Sequence, residues 1–291
     1  MTKGNKTLNI QYKFLAGLDW MTIFLANKEA FSDYLVPMML TPGNFENHLA
    51  QTAVDLDLSV GAFLDGRLIG YTLNGFDTWN GKFTAYDAGT GVVPDYRKEG
   101  IGTKMFEFLL PKLEKMGVQQ MLLEVLSNNE KAIPLYRNLG FRQTRELEFF
   151  EQEADIVEPL QSEVQIAEII EPKWDQLKAL WDRDTSWQFS CRSLERKLID
   201  SSVIGATTDG KCIGYGVFFP TGGVVAQLAV DKNFRRKGIA SKLLSEMRKR
   251  TVEDKKLKFS NIDSRLENLK AFARSLGFKR TISQMEMVLE F

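Results

Sequence analysis

The sequence has one histidine, two cysteines and no excess of charge of either sign. Lysine and arginine together number 38, as do aspartate and glutamate, so the net charge is zero. Nucleic acids and anionic membranes are bound through basic surfaces, and this balance predicts neither as a partner. No apolar run approaches the roughly 20 residues of a membrane-spanning helix, and the basic start has no signal-peptide pattern after it. These absences predict a cytoplasmic protein.

The cysteines and the histidine predict no metal site. Cys191 and Cys212 lack the spacing of metal ligands, and two cysteines do not make a disulfide framework. We therefore expect free thiols in a reducing compartment. His48 lies in a segment that fits a solvated helix face, and a catalytic role for it is the lesser alternative.

Three landmarks occur twice in the same order, which predicts two copies of one fold. The length of 291 residues is about twice that of a usual domain. The order and the nearly constant spacing predict a first domain at 1–155, a linker at 156–163 and a second domain at 164–291. The landmarks are an Asp-Gly turn, a glycine loop and a Leu-Gly-Phe segment, at residues 65–71, 97–102 and 139–141 and again at 209–215, 235–240 and 276–278.

The two copies show the same predicted order of secondary structure. An amphipathic helical region is followed by two strands across the Asp-Gly turn, a longer strand, and a glycine loop that opens a helix. A short apolar strand, a second helix that ends at Gly140 or Gly277, and a final strand complete the copy. This mixture predicts a layered α/β (α+β) fold class.

The glycine loop is the first feature that indicates chemistry. A strand, then Arg97-x-x-Gly100-x-Gly102, then a helix would bring backbone N–H groups and a helix N-terminus close to a ligand. Such an arrangement can cradle a diphosphate, and the alternative is a plain strand-to-helix turn. The Gly-Lys-Ser/Thr of a P-loop is missing, and a dinucleotide fingerprint begun at Gly89 would place Pro94 where its third glycine belongs.

These residues resemble the signature of the GNAT superfamily of N-acetyltransferases. That signature has a hydrophobic residue, a proline and Arg-x-x-Gly-x-Gly/Ala, followed downstream by Asn-x-x-Ala-x-x-x-Tyr-x-x-x-Gly-Phe. The resemblance implies two domains, each with a central mixed, mostly antiparallel sheet flanked by helices, and the transfer of an acyl group from acetyl-CoA or another acyl-CoA to an amine. The first copy matches with Val92, Val93, Pro94, Arg97, Gly100 and Gly102, then Asn129, Ala132, Tyr136, Gly140 and Phe141.

The resemblance also implies roles for single residues. Backbone N–H groups of 98–103 would hold the pyrophosphate, and the strand end at 92–93 would pair with the pantetheine arm and polarise the thioester carbonyl. Tyr136 would protonate the leaving thiolate, since a phenol stays protonated at neutral pH; the alternative is a half-buried helix aromatic. The residues implied in cofactor binding are Val92, Val93, Arg97, Lys98, Glu99, Gly100, Ile101, Gly102, Thr103 and Asn129.

The amine must also lose a proton, and two carboxylates are candidates for the base. Asp87 and Glu124 each interrupt an apolar strand segment, which a buried polar group must justify. The alternatives are a bulge carboxylate for Asp87 and a solvent-facing strand position for Glu124. Tyr86 is a further candidate, because a bulge at Gly89 or Gly91 would change which neighbour faces the cleft.

The second copy departs from the signature. It keeps Arg235, Gly238 and Ala240 in its glycine loop, but the aligned positions of Tyr136 and Asn129 hold Ala273 and Leu266. We therefore expect it to be catalytically silent. Two functions stay open: an acetyltransferase whose first copy catalyses direct attack in a ternary complex, and a CoA-binding sensor or regulatory pseudoenzyme.

The acceptor is expected to be a small-molecule or peptide amine. Aromatic residues in the first helical region and the following hairpin would suit an apolar acceptor, and they equally suit a core or the contacts of a homo-oligomer. These residues are Phe31, Tyr34, Phe76, Trp79 and Phe83.

Overall fold

The structure is a computed structural model that describes residues 9–33, 41–153, 164–197 and 200–291. The chain divides into two compact units, one of Met1–Thr144 with Glu286–Phe291 and the other of Arg145–Met285. Tyr34 and the predicted linker 156–163 lie outside the described residues, so the proposed domain limits stay a prediction.

Strands β1 to β5 of the first unit lie side by side in chain order, with helices on the two faces of the sheet. All neighbouring strands are antiparallel except β4 and β5, which are parallel. The elements are β1 (Gln11–Phe14), α1 (Trp20–Ala30), α2 (Pro42–Gln51), β2 (Val60–Leu64), β3 (Arg67–Trp79), β4 (Lys82–Val92), α3 (Ile101–Lys115), β5 (Gln120–Leu126), α4 (Ala132–Asn138) and the start of β6 (Arg142–Gln152).

The second unit repeats this architecture. Its sheet has the order β6-β11-β10-β9-β8-β7, and β10 and β11 form its parallel pair. The elements are β7 (Gln165–Glu168), α5 (Trp174–Lys178), α6 (Cys191–Glu195), β8 (Ser202–Thr208), β9 (Lys211–Phe219), β10 (Val224–Val230), α7 (Ile239–Arg250), β11 (Lys258–Asp263), α8 (Glu267–Ser275) and β12 (Phe278–Glu290).

Turn chemistry explains the predicted hairpins. Asp65 and Gly66 have φ angles of 50° and 83°, and Asn80 and Gly81 have 50° and 78°. Two successive positive φ angles are typical of the tight hairpin turns that match strand twist, and Asp-Gly and Asn-Gly favour them. The second unit has the same turn at 209–210.

The final strand of each copy differs from the prediction that it closes its own copy. Residues 145–152 of β6 belong to the second unit, where Glu151 pairs with Lys258 of β11. Residues 286–291 belong to the first unit, where the N–H of Phe291 donates to the carbonyl oxygen of Gln119 at 3.1 Å. Hydrophobic pattern gives a strand its faces but does not specify its neighbour, so sequence could not supply this pairing.

Apolar side chains cover both faces of the first sheet. Ile23 and Phe24 of α1 pack with Phe45 of α2 on one face, while Phe106 and Leu109 of α3 are fully buried. The predicted layered α/β fold with mixed, mostly antiparallel sheets flanked by helices is confirmed. Within the described ranges, no helix is long and apolar enough to cross a membrane, and no cluster of three metal-ligating side chains occurs.

Candidate active site

The pairing of β4 with β5 ends before either strand does, and the gap between the two strand ends is the cleft. Their parallel ladder joins Thr84–Asp87 to Gln120–Leu123, whereas β4 continues to Val92 and β5 to Leu126. Strand edges beyond a ladder present N–H and C=O groups that a ligand can use. Asp87 is the last paired residue of β4, so it lies at the point where the cleft begins.

A bulge in β4 sets the direction of Asp87. Leu73 of β3 pairs with Gly89 and the next residue, Asn74, pairs with Asp87, so Ala88 is one residue more than β3 can match. An extra residue re-aims the side chains around it. Asp87, rather than Tyr86, therefore faces the α3 and α4 side of the sheet, where it meets Tyr136.

Asp87 and Tyr136 form a buried pair. The phenol of Tyr136 donates to Oδ2 of Asp87 at 3.2 Å, and each residue is only 6% exposed. Two more donors reach this carboxylate: the hydroxyl of Thr90 at 2.9 and 3.0 Å, and the N–H of Gly89 at 3.0 Å. Burial raises the pKa of Asp87 to about 6, although these hydrogen bonds act to lower it.

Two aromatic rings fix the ring of Tyr136. Phe106 of α3 lies edge-on to it with centroids 5.9 Å apart, and Phe141 lies at 5.7 Å. Edge-to-face packing at these distances is favourable and orients the ring. The ring plane is thus held while its hydroxyl group can still rotate.

Glu124 is not brought to this pair. Leu123 shares a ladder position with Asp87, and successive side chains of a strand point to opposite faces. Half-buried Glu124 therefore projects to the other face of the sheet, the side of α1 and α2. The two candidate bases lie on opposite sides of the cleft.

The glycine loop has the geometry of an anion cradle. Gly100 caps α3 with a φ of 71°, which favours glycine, and Lys98 has a positive φ of 69°. Lys98, Glu99 and Gly100 are exposed, whereas Ile101 is buried and anchors the helix start. The first N–H groups of a helix lack intrahelical partners, so this end offers donors to an anion.

The side chain of Arg97, which was predicted to bind the cofactor, makes hydrogen bonds to groups within the first unit. Its Nε donates to the carbonyl oxygen of Val92 at 3.0 Å, and one terminal nitrogen donates to that of Ala30 at 2.6 Å. Both terminal nitrogens bond Asp33. Arg97 therefore connects the end of α1 to the end of β4 and supports the loop from behind.

Two further implied contacts also have partners within the chain. The N–H of Val93 donates to the carbonyl oxygen of Ile69 at 2.9 Å, so it points to β3 and not into the cleft. Successive N–H groups along a strand alternate in direction, which leaves that of Val92 on the cleft side. Oδ1 of Asn129 accepts the N–H of Ala132, the first residue of α4, at 3.1 Å.

His48 is closer to the site than its sequence suggested. It is half-buried, and its Nε2 lies 2.8 Å from the carbonyl oxygen of Ala88, the bulge residue. A carbonyl oxygen only accepts, so this nitrogen carries the hydrogen. The contact joins residues 40 positions apart, and no local pattern would have indicated it.

The second unit keeps the backbone of the site and loses its polar side chains. Tyr215 pairs with Ala229 as Tyr71 pairs with Gly91. The same register places Val225 at the position of Asp87 and Leu228 at that of Thr90. Together with Ala273, these residues belong to one apolar core in the second unit.

The second unit also fills the position of Gly89. Gln227 stands there, buried, and it accepts the hydroxyl of Tyr215 at 2.6 Å and donates to the carbonyl oxygen of Phe189 at 2.6 Å. Its glycine loop is retained, with Arg236 and Gly238 at φ angles of 64° and 74°.

Aromatic residues at the β3–β4 hairpin lie at the opposite end of β4 from the cleft. Phe76 and Phe83 are in contact, with ring centroids 6.2 Å apart, and Phe83 is 37% exposed. Trp79 and Phe31 are half-buried. Their role in acceptor binding stays a prediction.

Family models match both halves of the chain. One described as the acetyltransferase (GNAT) family matches residues 22–141, and one described as the acetyltransferase (GNAT) domain matches residues 200–280. The first match covers the glycine loop, α3 and α4, and the second covers the equivalent loop, α7 and α8.

Curated relatives are similar over part of the chain. A [ribosomal protein bS18]-alanine N-acetyltransferase of Escherichia coli is 40% identical over 77 residues, 23% of this chain and 52% of the relative. A thialysine N-epsilon-acetyltransferase of Sus scrofa is 37% identical over 83 residues, 28% of this chain and 48% of the relative. The chain spans about half the length of the curated relatives it matches.

Solved structures are similar over nearly the whole chain. A tandem GNAT protein from the clavulanic acid biosynthesis pathway has a TM-score of 0.71 at 16% identity, with 97% of this chain and 98% of that chain covered. A GCN5-related N-acetyltransferase from Sphaerobacter thermophilus has a TM-score of 0.70 at 15% identity, with 97% and 95% covered. At these identities the likeness concerns the fold.

Proposed function

This chain belongs to the GNAT family of acetyltransferases, with two domains of that family in tandem, and from this membership we propose that its first unit transfers the acetyl group of acetyl-CoA to an amine. The observation that carries the proposal is the buried pair of Tyr136 and Asp87 at the start of the β4–β5 cleft. The second unit, which has the same backbone without that pair, serves as an internal comparison.

The donor set of the first unit fits coenzyme A. The glycine loop offers N–H groups and a helix N-terminus to the pyrophosphate, and the free edge of β4 offers hydrogen bonds to an extended amide chain such as pantetheine. Lys98 and Lys104 are exposed beside the loop and add positive charge. Bound acetyl-CoA supplies the thioester that is attacked.

The residues of the cleft would then act on the reacting atoms. The N–H of Val92 is placed to stabilise negative charge on the carbonyl oxygen. Tyr136 is the proton donor for the departing sulfur, since a phenol is protonated at neutral pH. We propose direct attack by the amine with both substrates bound, because the hydroxyl groups of Thr90 and Tyr136 are both hydrogen-bonded to the carboxylate of Asp87.

We propose a primary amine at the end of a peptide or a lysine-like side chain as the acceptor. The relatives are named for an alanine of a ribosomal protein and for thialysine. Glu124 projects to the α1 and α2 side of the sheet, opposite Asp87. The free thiols of Cys191 and Cys212 suit a cytoplasmic location.

A specific observation also favours coenzyme A binding by the second unit. Its loop keeps the backbone angles of the first at 236 and 238, and its Arg235 bonds Val230 at 3.0 Å as Arg97 bonds Val92. Backbone cradles do not depend on side chains, so the second candidate function is acyl-CoA sensing by this unit.

Calorimetric titration of acetyl-CoA into the full chain, with an assay of acetyl transfer to a peptide that begins with alanine and to thialysine, tests the proposal. One binding site per chain with transfer to either amine supports an active first unit. Two sites support the sensing function of the second unit in addition. Failure to bind acetyl-CoA at high micromolar concentration would contradict both.

A further inference from the structure

We propose that Asp87 acts in the transfer reaction through Tyr136. It first accepts the hydrogen bond of the phenol, and after Tyr136 has given its proton to the sulfur, Asp87 returns a proton to the phenol oxygen. The inference rests on the proposed acetyl transfer. A simple base would only take the proton of the amine, whereas Asp87 would also pass a proton to Tyr136. The contacts of the two side chains support it.

Three donors converge on the carboxylate of Asp87. They are the N–H of Gly89, the hydroxyl of Thr90 and the phenol of Tyr136. An ionised carboxylate only accepts hydrogen bonds, so this form satisfies all three donors at once. In that state the proton of Tyr136 points at Asp87 and is held there.

A proton on Asp87 would reverse this bond. The carboxylic acid has a donor of its own, which can point to the oxygen of Tyr136. The phenol proton is then free to turn toward another acceptor. Because Phe106 and Phe141 hold the ring, rotation of the hydroxyl alone accomplishes the change.

The proton balance of the reaction closes through this pair. The amine nitrogen forms its bond to the acyl carbon, and the proton it loses goes to Asp87. The carbon–sulfur bond breaks with its electron pair on sulfur, and Tyr136 gives its proton to the sulfur. Asp87 then returns its proton to Tyr136, so both side chains end the turnover as they began it.

The electrostatic surroundings of Asp87 suit such an exchange. Burial raises the pKa of its carboxyl to about 6, which keeps it ionised at neutral pH yet able to take a proton. Tyr136 from α4 contacts it directly, and Asp87 acts electrostatically on Tyr71 of β3, whose pKa burial raises well above its ordinary value. His48 contacts the backbone of the adjacent Ala88 and is therefore the control for a pH effect.

The second unit lacks the polar side chains of Asp87, Thr90 and Tyr136. At the positions of Asp87 and Thr90 it has Val225 and Leu228, and Ala273 takes the position of Tyr136, all within one apolar core. One chain thus contains a complete set and a set in which all three members are replaced.

A double-mutant cycle on the full chain tests the proposal. The wild type, Asp87→Asn, Tyr136→Phe and the double variant are assayed with acetyl-CoA and a peptide that begins with alanine. We expect each single change to lower kcat about 100-fold, the range of a lost acid or base. The double variant should lie within threefold of the lower single variant, because both residues serve one proton path.

The pH profile gives an independent readout. The wild type should lose kcat as pH falls below about 6, Asp87→Asn should lack this limb, and His48→Gln, which keeps an N–H donor, should retain it. Thr90→Val should move the limb to higher pH, because the Thr90 hydrogen bond lowers the pKa of Asp87. If Asp87→Asn fails to fold, the shift of this limb in Thr90→Val tests the role of Asp87 instead.

Several outcomes would overturn the proposal. In the cycle, a double variant reduced by the product of the two single effects would show independent roles. A limb that survives Asp87→Asn and disappears in Glu124→Gln would assign proton uptake to the other face of the cleft. If the wild type binds acetyl-CoA but acetylates no amine, the proposed function itself is wrong. The wild type is therefore assayed before any variant is made.

Discussion

Arg97 holds both carboxylate oxygens of Asp33, at 2.7 and 2.8 Å, with the two terminal nitrogens of its guanidinium. The same side chain reaches the carbonyl oxygens of Ala30 and Val92. In the second unit, Arg235 bonds Val230 and pairs with Asp182 at 2.9 Å. An arginine named by the family signature thus connects the segment that follows a helix to a strand end in both units.

We expect Arg97→Lys to destabilise the first unit by about 1–2 kcal/mol. A lysine cannot make the planar two-pronged contact, although the exposure of Asp33 limits the loss. Thermal unfolding with and without acetyl-CoA measures it. Arg235→Lys is the matched control, which should lower stability but leave acetyl transfer unchanged. An unchanged melting temperature in Arg97→Lys, with weaker acetyl-CoA binding, would instead indicate direct contact with the cofactor.

Gly100→Glu should abolish acetyl-CoA binding in the first unit. The carboxylate would stand at the anion cradle and repel the pyrophosphate, and the φ of 71° adds roughly 1 kcal/mol of strain for any side chain. Calorimetry should show at least a 30-fold weaker site.

Two variants complete that experiment. Gly100→Ala carries the backbone strain without the charge, so it should retain most of the affinity. Gly238→Glu places the same charge in the second unit, where it removes a second site if one exists and leaves the first intact. Equal loss of affinity in Gly100→Ala and Gly100→Glu would contradict the electrostatic explanation.

The features that sequence could predict are local. Asp-Gly and Asn-Gly turns, the glycine at the start of α3 and the glycine that ends α4 each depend on backbone angles that few residues adopt. Repetition of these signals in the same order was sufficient to predict two copies of one fold.

The features that it could not predict depend on long-range pairing. One extra residue, Ala88, decides that Asp87 and not Tyr86 faces Tyr136, and a slip of one residue reverses every side chain of a strand. The partner of His48 lies 40 residues away, and that of Arg97 lies 64 away. The placement of the final strands is of the same kind.

Asp87 should make the stability of the first unit depend on pH. Burial raises its pKa to about 6 in the folded chain, whereas an unfolded aspartate titrates near 4. The folded state therefore binds more protons between these values. Stability is complete below about pH 4 and decreases as pH rises through 6, by up to roughly 3 kcal/mol.

Asp87→Asn should remove that loss. Relative to the wild type, the variant should gain stability as pH rises from 4.5 to 7.5, by about 1–3 kcal/mol. Urea midpoints of both proteins over this range measure it, with His48→Gln as the control for the histidine. A difference between variant and wild type that stays constant with pH would contradict the raised pKa.

Gly75 marks the closest approach of α2's end to the sheet. A Cβ at Gly75 would lie 1.9 Å from the carbonyl oxygen of Thr52, and backbone at that distance cannot move aside cheaply. Val54 forms a bridge with Gly75, so this contact fixes the chain directly after the helix whose His48 bonds Ala88. We expect Gly75→Ala to destabilise the first unit by roughly 2–4 kcal/mol.

Gly43→Ala is the control. A Cβ at this position in α2 would have no described atom outside its own helix and chain neighbours within 4 Å, so this variant should change stability by less than about 1 kcal/mol. Because α2 also carries the contact to the bulge, surviving Gly75→Ala protein should lose kcat as well as stability. Equal melting temperatures for the two variants would contradict the close packing of α2 on β3.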